Sequence, residues 1–121
     1  MTSKITDIWF RSKSSLAEIA QRLELLDSTE DAENYWQWVI GVFHEFKLDI
    51  TRTHTRPRGQ VDTRIFLLEN EEFSEALLAE VVRRLRKFIP GPIACGRWEY
   101  RSGNDFDLVI VQEFRSSRAE D

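Results

Sequence analysis

The chain has 121 residues, 41% hydrophobic and 31% charged, with a formal net charge of −4 and one cysteine. That length suits one domain around one core, and the balance of apolar and charged residues excludes disordered, collagen-like and disulfide-stapled classes. No apolar run approaches a membrane span of roughly 20 residues, the N-terminus lacks a basic segment leading into an apolar signal core, and Cys95 has no second thiol for a disulfide or zinc site.

The expectation is therefore a cytoplasmic protein without cofactor or metal, folded over residues 1–114 and ending in a polar tail, 115–121. "KITDIWFRS" groups Ile5, Ile8, Trp9 and Phe10 as a first strand. "SSLAEIAQRLELL" spaces Leu16, Ile19, Ala20, Leu23 and Leu26 as one face of a helix, with Ser15 and Glu18 placed as a capping box. The acidic stretch "DSTEDAEN" follows, carrying Asp27, Glu30, Asp31 and Glu33.

In "YWQWVIGVFHEFKLDITRTH" the even positions Trp36, Trp38, Ile40, Val42, Phe46, Leu48 and Ile50 are apolar, and His44 alone breaks the series. This period of two predicts one long strand with its even face buried, His44 semi-buried and hydrogen-bonded, and Gly41 at a bulge or bend. Tyr35, Val39, Val42, Phe43 and Phe46 also fit a helical period. The strand is preferred because the even series continues to Ile50 and the segment is rich in β-branched and aromatic residues.

"RPRGQ" supplies a turn, and "VDTRIFLLE" returns as a strand in which Val61, Thr63, Ile65 and Leu67 alternate with Asp62, Arg64, Phe66 and Leu68. "NEEFSEALLAEVVRRLRKFIPG" is a helix with a Phe73, Leu77, Val81, Leu85, Phe88 stripe, acids near its start and arginines near its end, stopped by Pro90 and Gly91. "IACGRWEYRSGNDFDLVIVQEF" reads as two strands joined through "RSGND". The order β-α-β-β-α-β-β predicts an α+β fold, a ferredoxin-like two-layer sandwich with two helices on one face of a mainly antiparallel sheet.

Arg52, His54, Arg56 and Arg58 at the end of the central hairpin are candidate ligands for a phosphate group or nucleic acid, since guanidinium groups match phosphate oxygens. Trp9, Trp36, Trp38 and Trp98 are the aromatics that could stack on bases. Hairpin-end charges and core aromatics account for the same residues more simply, and the negative net charge disfavours nucleic acid. Cys95 with His44 or His54, oriented by Asp105 or Asp107, would make a nucleophilic pair, but a lone cysteine in "IACGRW" reads better as a small buried residue. In "RWEYRSGNDFD", Asp105 and Asp107 are expected to pair with Arg97 or Arg101 across the hairpin. Trp98 and Tyr100 beside those charges are candidate partner-binding residues.

A short acidic α/β chain with charged hairpins resembles the immunity proteins of bacterial toxin systems, including contact-dependent growth inhibition. The likeness lies in chain length, element order and the segments "ITDIWFRSKSSLAEIAQRL" and "GRWEYRSGNDFDLVIV". The resemblance implies a non-enzymatic monomer or weak dimer that binds a cognate toxin domain stoichiometrically and blocks it. Asp27, Glu30, Asp31 and Glu33 would complement a basic nuclease toxin and steer its association.

Overall fold

The computed structural model describes residues 4–33, 36–53, 62–103 and 105–114. The expected turn at 56–60, Val61 at the start of the expected return strand, the tail 115–121, and His54, Arg56 and Arg58 lie outside these residues. Seven strands, β1 (Asp7–Phe10), β2 (Leu26–Glu33), β3 (Trp36–Phe43), β4 (Phe46–Thr53), β5 (Thr63–Leu67), β6 (Ile93–Ser102) and β7 (Asp105–Phe114), form a sheet of order β2-β3-β4-β5-β1-β6-β7. Every pairing in it is antiparallel. Helix α1 (Leu16–Arg22) follows β1, and α2 (Glu75–Arg86) follows β5 after a short 3-10 turn at Leu68–Asn70.

The fold class is thus α+β, a two-layer arrangement with two helices among the described residues, but the expected element order is corrected. The acidic stretch, expected to carry no element, is the edge strand β2, and the expected long strand is a hairpin, β3 and β4. His44 and Glu45 form its two-residue turn, with Phe43 opposite Phe46. A turn of two residues makes paired positions differ in parity, so odd positions of β3 share a face with even positions of β4. Val39 and Phe43 are therefore buried together with Leu48 and Ile50, while Trp36 is exposed. His44 is exposed at φ 58°, not semi-buried, and the bulge expected at Gly41 lies in the partner strand opposite it. The bulge is in β2, between Leu26 and Thr29, and a Cβ at Gly41 would stand 2.9 Å from Leu25 Cβ and 3.1 Å from Ser28 Cβ.

Helix α1 begins at its expected cap, whereas α2 begins at Glu75, so Glu71, Glu72 and Phe73, expected within it, precede it. The Ser15 side chain accepts the Glu18 amide at 3.1 Å, and the Ser74 side chain accepts the Leu77 amide at 3.1 Å. Helix α1 ends sooner than expected because Glu24 enters the left-handed region at φ 61°, with the Leu25 amide donating to Ala20 O. Leu16 and Ile19 from the first helix, Leu23 just past its end, and Leu77, Val81 and Leu85 from the second join Ile8, Phe10, Leu48, Ile50, Ile65 and Ile93 in one core. Each fully buried aliphatic contributes about 1.5–3 kcal/mol. Arg84 ties the helices together, bridging Glu24 and Glu80 at 2.9 Å each. Among the described residues no helix is long and apolar enough to cross a membrane.

Candidate functional site

Because the core draws on one parity of each strand, the other parity forms a sheet face that neither helix covers. Register aligns two rows across it. One runs Thr29, Ile40, Asp49, Phe66, Asp7, Gly96, Ile110, and the next runs Asp31, Trp38, Thr51, Arg64, Trp9, Ala94, Glu113. Beyond them Glu33 stands opposite Trp36, which is 51% exposed.

The middle of this face is tightly knit. Asp7 is buried and forms an ion pair with Arg64, whose guanidinium lies 4.0 Å from the centroid of the Phe66 ring and 5.9 Å from that of Trp9. Asp49 accepts the Thr51 hydroxyl at 2.5 Å. Burial pushes the Asp49 carboxyl up, and the Thr51 hydrogen bond and the Arg64 charge only partly oppose that. Arg64 is thus the counter-charge of a buried carboxylate.

Strand β2 differs. It is the edge of the sheet, every residue in it is exposed, and none of Asp27, Glu30, Asp31 and Glu33 has a cationic partner among the described residues. Register places Asp31 and Glu33 on the helix-free face beside Trp38 and Trp36, and Glu30 on the opposite face beside Val39. Glu30 and Asp31 also line a depression of about 340 Å³ against Ser15 and Leu16 at the start of α1. Leu26, at the head of the strand, is 63% exposed. Uncompensated carboxylates flanked by exposed large apolar side chains can attract a basic protein surface and then bury area against it.

Trp98 and Tyr100 do not join this patch. They lie on β6, opposite Leu108 and Phe106, and four strands separate β6 from β2. Register sets Asp107 opposite Glu99, Asp105 opposite Ser102 and Arg97 opposite Val109, so neither acid directly faces Arg97, which bridges Glu99 at 2.7 Å; the side chains of Arg101, Asp105 and Asp107 lie outside the described residues. Arg52, from the alternative phosphate set, serves the fold. Its Nη1 donates to Ser14 O at 2.6 Å and its Nε to Thr63 Oγ1 at 3.1 Å, which ties β4 to the loop before α1. Burial lowers its pKa and Asp62 counters that.

Cys95 is a core residue with its thiol pushed up to about 12 by burial, so it is no thiolate nucleophile at neutral pH. A further cleft of about 800 Å³ opens between residues 11–14 and 88–92. No group of three or more potential metal ligands occurs among the described residues. The sequence named the four acids but missed Trp36 and Trp38 as their neighbours, having assigned both to the core; the signal that could have found them is a non-glycine two-residue turn at His44 and Glu45.

No family model, curated protein or solved structure matches the chain.

Proposed function

We propose that this protein is a non-enzymatic protein-binding module, an immunity-type inhibitor that neutralises a cognate toxin domain in the cytoplasm by stoichiometric binding. The observation that carries this reading is the edge strand β2, where four carboxylates stand exposed between exposed Leu26 and Trp36, with no cationic partner among the described residues. Edge acids by themselves guard a sheet against aggregation. Set beside exposed aromatic surface, they also suit a positively charged partner, a basic nuclease domain above all, whose approach they would accelerate.

The fold is read here as ferredoxin-like. The inner strands lie in the order β4-β5-β1-β6, with α1 between β1 and β4 in the chain and α2 between β5 and β6. On that reading the β2–β3 hairpin is an insertion after α1, and β7 is appended to the far edge.

Calorimetric titration against the C-terminal domain of the protein encoded immediately upstream tests the function. The expected result is a one-to-one complex of nanomolar or tighter affinity, about −12 kcal/mol, weakened when Asp27, Glu30, Asp31 and Glu33 are replaced by their amides. Absence of a complex overturns the pairing. A complex indifferent to those four substitutions overturns the assigned surface.

A further inference from the structure

We propose that the helix-free side of the β2–β3 hairpin reads two basic side chains, preferably arginines, separated by one residue on an extended segment of the partner. This rests on the protein-binding reading above and adds to it the chemistry recognised. Two neighbouring cross-strand pairs carry the inference: Asp31 opposite Trp38, and Glu33 opposite Trp36. Directly opposed side chains in an antiparallel pair have their Cβ atoms about 5 Å apart. Each pair therefore offers a cation an indole face and a carboxylate at once, a combination that suits a planar guanidinium better than an ammonium.

The two pairs repeat every second residue, about 6.7 Å along the strand. An extended segment presents alternate side chains at that same interval, so both pairs can be occupied together. The surroundings leave them available. One Asp31 oxygen accepts the Ala32 amide at 2.7 Å, and no cation among the described residues pairs with Asp31 or Glu33. Beyond Trp38 in the same row come Thr51 and then Arg64, the latter engaged by Asp7 and stacked on Phe66. Among the described residues β2 is the sheet edge, and no described strand covers the flank an incoming chain would take. A second copy is a poor occupant, since it would set carboxylate against carboxylate, and nucleic acid would bring its phosphates against the same charges.

The test titrates short peptides into the intact protein and follows its tryptophan indole N–H resonances, with Trp36 and Trp38 assigned through their phenylalanine variants. The probes are an extended peptide containing Arg-Thr-Arg, one with adjacent arginines, one with Glu-Thr-Glu, and a helical peptide with arginines four residues apart. Saturable millimolar shifts at Trp36 and Trp38 are expected for Arg-Thr-Arg, about fivefold weaker binding with adjacent arginines, and none with the acidic peptide. The exposed double variant Asp31→Asn, Glu33→Gln should loosen Arg-Thr-Arg by about tenfold. Silence at Trp36 and Trp38, equal response to every peptide, indifference to the double variant, or tighter binding of the helical peptide would each overturn the inference. If the peptides bind as expected and the toxin domain does not, the toxin reading alone fails; if the toxin domain binds and the peptides do not, this inference alone fails.

Discussion

Asp49 sits in the row between Ile40 and Phe66, almost fully buried, with the Thr51 hydroxyl as its hydrogen-bond donor. Its folded-state pKa is raised, with burial as the dominant cause, so the neutral acid is the form the fold prefers. The sign follows: Asp49 contributes stability that is fully present below its unfolded pKa and is lost as pH rises through the raised folded value. Asp49→Asn keeps an oxygen for Thr51 and removes the charge. The variant should be more resistant to urea than the native chain at neutral pH, with the gap closing as pH falls below the ordinary aspartate range. Urea midpoints collected across pH check this, and a gap that is constant or widens toward acid would contradict it. Period-two reading put Asp49 on an exposed face, and along one strand that is sound; its burial comes from neighbours on β3 and β5, whose register a single-strand pattern does not contain.

Gly96 shows how tightly two elements can be coupled. It lies where register shifts between β6 and β7, and a Cβ there would fall 1.9 Å from Val109 O and 2.8 Å from Val109 C. Those are backbone atoms, so no rotamer change relieves the overlap, and Gly96→Ala should destabilise the chain by about 3 kcal/mol through a displaced β7. Gly91, with nothing within 4 Å of an added Cβ, is the control, and Gly91→Ala should stay within about 0.5 kcal/mol of the native chain. Thermal unfolding separates the two, and equal effects would mean that β7 adapts freely. The same scale explains what the sequence disclosed. Helix α1 was legible from the Ser15 cap and its apolar stripe, α2 from its stripe and the charges at its two ends, and β1, β5, β6 and β7 from their strand formers, while the Ser74 cap went unread. The β3–β4 reversal was hidden because His44, not glycine or asparagine, occupies the left-handed turn position. Strand β2 was hidden because its acidic, fully exposed residues have no apolar alternation to betray a strand.

At the scale of the whole molecule, the sheet's two edges are β2 and β7, and an unpaired edge is a template for another chain. On β2 the protection comes from charge. Two copies meeting antiparallel along this strand would bring Asp27, Glu30, Asp31 and Glu33 of one against those of the other. Beneath that charge the strand has ordinary pairing potential, with Leu26 exposed at its head and Trp36 exposed on its neighbour. Replacing the four acids by Asn and Gln keeps the side chains' size and hydrogen bonding but removes the repulsion, so the neutral variant should self-associate at concentrations where the native chain stays monomeric. Added salt should move the native chain part of the way in the same direction, because exposed charges are largely screened beyond about 10 Å at 0.1 M ionic strength. Sedimentation velocity over a concentration series reads both. Association of the neutral variant would establish that the acids guard the edge as well as serving any partner, which makes recognition conditional on a basic chain. A neutral variant that remains monomeric at every concentration would place the protection in the β2 bulge between Leu26 and Thr29 and not in the carboxylates.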